Sequence, residues 1–358
     1  MNSTMTRRRM IGRLAAWMPL FSALPTLLGA EKAGRKRLGI CGYSYNLHWQ
    51  AARDGHPKAR FKDPLEFLEY CHKLGAGGAQ VGIGSRDAAY TARLRARAEA
   101  LGMYLEGELG LPKEESDVPR FEADIRAAGE AGAEVVRTAM LGGRRYETFD
   151  SAEAYRRFAK SSWQSLTLAE PVLKRHRLRL AIENHKDRRV PELLDLLKRI
   201  SSEYVGVCVD TGNNIALLED PMKVVEALAP FAFSTHLKDM AVQEYDEGFL
   251  LSEVPLGDGF LDLKKMVDVL REANPKVQFN LEMITRDPLK IPCLTAKYWA
   301  TMEDATALQV VGALNMVRRN AAKKPLPHTT GLDLEEQLVL EDRNVTSSLA
   351  YAREHLEL

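Results

Sequence analysis

Apolar residues in this chain come in short blocks, and longer stretches with helical spacing separate most of them. Eight blocks read as strands, at 38–42, 79–83, 103–108, 134–139, 178–183, 205–210, 232–236 and 277–282. The intervening 63–74, 86–101, 117–131 and 151–175 read as helices, the last with apolar Tyr155, Phe158, Ala159, Leu166 and Leu173. Asp63-Pro64 is a start signal, an N-cap followed by proline at the first helical position. Further helices start near Pro191, Asp220 and Asp262. Strand and helix alternate eight times, which predicts parallel pairing and closure into a (β/α)8 TIM barrel. The uninterrupted VGVCV of 205–209 fits a strand buried on both faces. A doubly wound open sheet is the alternative, but no GxGxxG follows the first strand, so its dinucleotide-binding form has no motif here. Residues 43–62 read as a long loop on the active face. Beyond 300 the pattern predicts a helix over 302–320, a proline-containing break at 323–330 and a partly helical 332–358. This C-terminal helical extension would pack under the barrel or across the interface of a homo-oligomer. The domain reading is therefore 1–30 as a leader, 31–300 as barrel and 301–358 as extension.

The last four blocks share a second property, because each ends in a metal-capable side chain: Glu183, Asp210, His236 and Glu282. The gaps between them are 27, 26 and 46 residues, two strand–helix units and then one such unit with a long loop. In a parallel βα barrel all strand C-termini open on one face, where active sites sit. Singly, each residue has an ordinary explanation. Glu183 and Glu282 could form structural salt bridges, Asp210 in Asp-Thr-Gly an Asx-turn, and His236 a satisfied core contact. Jointly, four polar side chains at one end of four successive strands are best satisfied by a shared divalent cation.

Composition changes the picture little. The 358 residues are 45% hydrophobic and 28% charged, ordinary for a globular chain, and 50 basic residues face 49 acidic ones. Such a balance gives no footing for a nucleic-acid partner. The cysteines Cys41, Cys71, Cys208 and Cys293 form no CxxC pair, which argues against a zinc–thiolate site or a disulfide framework. At the N-terminus, Arg7-Arg8-Arg9 precedes a weakly apolar stretch with Pro19 and Pro25. This reads as a twin-arginine-type export signal with a cleavage site near Leu28-Gly29-Ala30, rather than a stable membrane span. It implies an exported, periplasmic protein.

The strings LAIENHKD, VGVCVDTGNN, HLKDM and FNLEM resemble the sugar phosphate isomerase/epimerase superfamily of xylose-isomerase-like TIM barrels. That superfamily also holds ketose 3-epimerases, inosose dehydratases and endonuclease IV enzymes. The resemblance spans about 38–300 and is most specific over 178–285. It implies one divalent metal ion (Mn, Mg, Co or Zn) held by Glu183, Asp210, His236 and Glu282. Glu183 and Glu282 would double as catalytic proton carriers on opposite faces of a carbohydrate or polyol substrate. The chemistry suits that set. A metal polarises the oxygens beside an acidic C–H, an enediolate forms, and one carboxylate removes the proton that the other returns. Asn213 stands where the epimerases commonly carry a histidine, three residues after the strand-6 aspartate, so substrate recognition differs here. The few histidines speak against the multi-zinc endonuclease arrangement. Position adds substrate-binding candidates: Lys238 two residues beyond His236, His185 two beyond Glu183, Arg137 within strand 4, and Arg286 with Asp287 after strand 8. Glu106 and Glu108 on strand 3 are weaker candidates, and Gly257-Asp258-Gly259 reads as a tight turn. The leading expectation is a metal-dependent isomerase or epimerase. A lyase or dehydratase on a keto-sugar, keto-glycoside or keto-inositol could use the same residues, and a non-catalytic sugar-binding barrel is the remaining alternative.

Overall fold

Eight parallel strands close a barrel in a computed structural model that describes residues 37–358 apart from Asp304. The leader reading of 1–30 lies outside the described residues. The barrel strands are β1 (Gly39–Cys41), β2 (Gly78–Val81), β3 (Tyr104–Glu108), β4 (Val135–Thr138), β5 (Arg179–Glu183), β6 (Val205–Asp210), β7 (Ala232–Leu237) and, after two inserted strands, β10 (Gln278–Leu281). Each falls within one residue or so of its expected block. The ring closes where β1 pairs in parallel with β10, with Gly39 opposite Asn280. Around it run α1 (Asn46–Arg53), α2 (Pro64–Lys73), α3 (Ala88–Leu101), α4 (Val118–Glu130), the one-turn α5 (Arg145–Thr148), α6 (Ala152–His176), α7 (Val190–Ile200), α8 (Pro221–Leu228) and α9 (Leu263–Ala273). Local chemistry starts these helices as the sequence suggests. The Asp63 carboxylate accepts from the amides of Leu65 at 2.9 Å and Glu66 at 3.0 Å, with Pro64 at the first position of α2.

Two regions depart from the sequence reading. The 43–62 segment is not a plain loop, because it contains α1. The long connection after β7 folds into an antiparallel hairpin, β8 (Asp239–Tyr245) and β9 (Gly248–Val254), which β11 (Leu289–Ile291) extends to three strands. Asp239 organises the return of this connection. Its carboxylate accepts from the amides of Met240, Gly257, Gly259 and Leu261 at 2.9–3.2 Å. Gly257 has a positive φ of 91°, and a Cβ there would sit 2.3 Å from the Tyr351 ring, so the tight turn is loop geometry.

After β11 comes the short α10 (Ala296–Trp299), and the extension beyond residue 300 comprises α11 (Ala307–Arg319) and α12 (Leu334–Tyr351). Val345, Leu349, Leu356 and Leu358 of its last part join the main apolar core around the strands, so α12 completes the helical ring beside β10. Helix α11 instead covers the inserted sheet, with Val317 packed among Val242, Phe249, Leu251 and Ile291. Buried Glu341 on α12 accepts from the amides of Leu47 at 2.9 Å and His48 at 3.0 Å, and its Oε2 lies 2.9 Å from His48 Nδ1. A carboxylate there satisfies the unpaired first-turn amides of α1 and complements the helix dipole. The extension thereby pins the segment that leads from β1 to the mouth of the barrel.

Candidate metal and substrate site

Glu183 closes β5, Asp210 closes β6, His236 lies next to the end of β7, and Glu282 follows β10 directly. All four are buried, and one ligand atom from each lies within 4.8 Å of the others. His236 Nδ1 is 3.4 Å from Glu282 Oε1, 3.6 Å from Glu183 Oε2 and 4.0 Å from Asp210 Oδ2. That nitrogen has no hydrogen-bond partner, nor does Asp210 Oδ2, which faces Lys238 Nζ at 2.9 Å only as an ion pair. Buried polar atoms left open, aimed together and carrying three carboxylates fit a divalent cation.

Local structure holds each ligand. Asp210 Oδ1 accepts from the amides of Gly212 at 2.8 Å and Asn213 at 2.7 Å, so the Asx-turn reading is correct for one oxygen while the other faces the cluster. Asn184 clasps the Asp210 backbone, donating to its carbonyl at 2.9 Å and accepting from its amide at 2.7 Å. Ser44, just beyond β1, donates to the Leu281 carbonyl at 2.9 Å and accepts from Met283 N at 3.0 Å, bracketing Glu282. His236 Nε2 lies 2.6 Å from Gln80 Oε1, while Gln80 Nε2 donates to Glu106 Oε2 at 2.8 Å. The Gln80 oxygen can only accept, so Nε2 keeps its proton and Nδ1 is the nitrogen a metal would take. Without a metal, burial is outweighed and the facing carboxylates push the imidazole well above its usual range, so that it is protonated and positively charged.

Charge surrounds the four ligands. Arg137 bridges Glu183 and Glu108 and lies over the Tyr43 ring, 5.5 Å from its centroid. Burial alone would push Glu183 up, but Arg137 and then His236 hold it well below the usual carboxylate range. Burial is likewise outweighed at Glu282 by His236 and Lys238, whose Nζ is 2.5 Å from Glu282 Oε2. Burial opposes charge on Lys238, yet Asp210 and Glu282 push its pKa upward. Asn213 donates to Glu183 Oε1 at 2.7 Å and accepts at Oδ1 from Lys238 at 3.4 Å.

Of the other candidates, Arg286 does not touch the ligands. It pairs with buried Glu253 on β9, and Glu253 in turn lies 3.9 Å from Lys238. Asp287 points away from the cluster and accepts from the amides of Thr329 at 2.6 Å and Thr330 at 2.9 Å. Burial pushes the His185 imidazole down to about 3, so it is neutral at ordinary pH. Lys186, Glu253 and Gln80 were not singled out from sequence. Lys186 sits in the ENHKD string with no periodic pattern to mark it, and Glu253 lies on β9, in a stretch whose sequence pattern resembles a loop. Gln80 was a single polar residue in a short apolar strand, the one signal that could have been used.

A family described as xylose isomerase-like TIM barrel matches residues 68–300. A 3-oxo-isoapionate decarboxylase of Pectobacterium atrosepticum is 28% identical over 238 residues, covering 64% of this chain and 79% of that protein. Among solved structures, a D-psicose 3-epimerase from Clostridium cellulolyticum H10 with D-tagatose superposes with a TM-score of 0.56 at 14% identity, covering 90% of this chain and all of the other. The probable 3-DHS dehydratase of petrobactin synthesis from Bacillus anthracis superposes with a TM-score of 0.51 at 12% identity, over 79% and 99% of the two chains. At these identities the two structures share the fold.

Proposed function

This chain belongs to the xylose isomerase-like TIM barrel family, and from that premise we propose that it is a divalent-metal-dependent isomerase or epimerase. Its substrate would be a carbohydrate or polyol derivative bearing a carbonyl. The observation that carries the reading is the buried four-residue set whose open His236 Nδ1 faces three carboxylates. A divalent ion held by Glu183, Asp210, His236 and Glu282 would polarise the substrate oxygens and make the neighbouring C–H more acidic. The residues themselves do the rest. Arg137 at Glu183, and His236 with Lys238 at Glu282, hold both carboxylates below their usual range, so each is ionised and ready to accept a proton. One carboxylate removes the proton from the carbon beside the carbonyl and the other returns one. Lys238 places a positive charge beside the developing oxyanion. Neutral His185 binds a substrate hydroxyl. On the strength of Arg7–Arg9 the same proposal places the enzyme outside the cytoplasm, where unphosphorylated sugars are the available substrates.

A second reading, a lyase, is favoured by the 28% identity to a decarboxylase. Carbanion formation beside a carbonyl can begin with loss of a proton or of a carboxyl group, and a leaving group on the next carbon can be expelled, all with the same residues. The test is incubation of the purified protein with Mn²⁺, Mg²⁺, Co²⁺ or Zn²⁺ in D₂O and a panel of ketoses, keto-sugar acids and 3-keto-glycosides. Deuterium uptake without loss of mass is the expected outcome. Release of CO₂, water or an aglycone transfers the assignment to the lyase. Neither exchange nor product with any metal would sink both readings.

A further inference from the structure

Lys186 is 2% exposed, and its Nζ donates to Asn213 Oδ1. Among the described residues no carboxylate lies within ion-pair distance of it, in contrast to Lys238, which has Asp210 and Glu282 on either side. A buried ammonium without a counter-ion is costly, and buried charges in folded proteins are normally paired. Burial, reinforced by the nearby charge of Lys238, pushes Lys186 down to about 8, so at neutral pH it still carries most of its charge. Asn213 does not cancel it. Its Oδ1 is a neutral acceptor that both lysines share, and its Nδ2 is committed to Glu183.

We propose that Lys186 is the seat of a substrate carboxylate, so that this site takes an oxo-sugar acid rather than a neutral ketose. The inference deepens the proposed metal-dependent chemistry and rests on it for the position of the carbonyl. The balance of charge supports a single negative charge. Around the site, ion pairs join the five carboxylates Glu108, Glu183, Asp210, Glu253 and Glu282 to the three cations Arg137, Lys238 and Arg286, and Lys186 adds a fourth positive charge beside them. A divalent ion turns that deficit of one into an excess of one, which a monoanionic carboxylate neutralises and a phosphate dianion oversteps. Geometry places the acid group close to the reacting carbon. Lys186 and Lys238 meet on one amide oxygen, and Lys238 itself touches two of the ligands. The carboxylate therefore sits beside the oxo group and not at the far end of the sugar.

The experiment uses the full-length, Mn²⁺-loaded protein and calorimetric titration with three probes of one carbon skeleton: D-fructose, 2-keto-D-gluconate, which is D-fructose with its first carbon oxidised to a carboxylate, and D-fructose 1-phosphate. The acid should bind at least about tenfold tighter than D-fructose, the scale of one charge-assisted hydrogen bond. In Lys186→Met, which keeps the aliphatic stem, that preference should vanish while affinities for Mn²⁺ and D-fructose stay within about threefold. Lys186→Arg should recover part of the preference, which a merely structural lysine would not. Equal binding of acid and neutral ketose by the wild type, or parallel loss of both in Lys186→Met, overturns the proposal. Tighter binding of the phosphate than of the acid overturns the carboxylate assignment. Deuterium exchange is scored separately in the wild type. Its absence counts against the catalytic reading alone, and an absent acid preference with intact exchange counts against the Lys186 seat alone.

Discussion

Two layers of buried polar side chains fill the upper half of this barrel, and they are built in opposite ways. In the lower one, Glu106 Oε2 accepts from Gln80 at 2.8 Å, Ser234 at 2.5 Å and Asn280 at 2.9 Å. Burial pushes Glu106 up and those donors offset only part of that, while its other oxygen, Oε1, has no partner. In the upper one, Glu183, Asp210 and Glu282 point at one another and at an imidazole nitrogen with no partner. A carboxylate with three neutral donors on one oxygen is held as a structural strut. Carboxylates that face each other are costly without positive charge between them, and here Arg137 and Lys238 supply part of it while the proposed metal would supply the rest. Gln80 joins the layers by donating downward and accepting from His236 above, so the strut also sets which imidazole nitrogen is left open.

The largest effect should come from the upper layer. Glu282→Gln keeps the size and one ligating oxygen but removes the base. Metal should still bind, more weakly, while turnover falls by about 10²–10⁴-fold, the range for a lost general acid or base. Side-by-side metal titration and turnover would expose a variant that keeps both, and such a variant would refute the two-glutamate mechanism.

Asp187 sharpens the contrast from a third direction, since both its carboxylate oxygens are buried without a partner and it sits outside both layers. Burial, partly opposed by Arg188, pushes it up to about 7. Its unfolded value is near 3.9. Between those two values the folded chain binds more protons than the unfolded one. Stability should therefore fall as pH rises from about 4 to 7, by on the order of 1–4 kcal/mol, and then level off. Asp187→Asn should flatten that slope in urea melts at pH 5 and pH 8, and an unchanged slope would show that another group sets it.

The smallest effects test the joint between the layers. Gln80→Leu should weaken metal binding by about 10–100-fold, as for other partners that orient a ligating histidine. Glu106→Gln, one step further from the ligands, should leave metal affinity within about threefold, because its amide oxygen can still accept from Ser234 and Asn280. If Glu106→Gln proved the more damaging of the two, the lower layer would belong to the metal site and the contrast would collapse.

Much of this was legible in the chain. Each barrel strand is a short apolar run bounded by polar turns, and burial on both faces leaves little freedom in where it begins and ends. The convergence of Glu183, Asp210, His236 and Glu282 was legible because a polar or charged residue closing such a strand is conspicuous. Substrate-side residues were harder to see. Lys186 lies in a segment, 185–189, whose run of His, Lys, Asp, Arg and Arg looks like a solvated loop, yet the last four are buried. Arg286 could be placed near the site, but its partner Glu253 is carried there by a hairpin whose strands read as loop.

The sequence alone determined the barrel and the convergence of four metal-capable residues, because strand period, helix starts and the residue at each strand end are local properties that parallel closure brings to one rim. Tertiary structure decided how those residues are held and what faces them. The tautomer of His236 depends on Gln80, 156 residues away, and the ionised state of Glu183 on Arg137 from the neighbouring strand. The cap on α1 comes from Glu341 almost 300 residues downstream. Hydrogen-bond partners and counter-charges are set by which strands and helices become neighbours, and no window along the chain contains both members of such pairs.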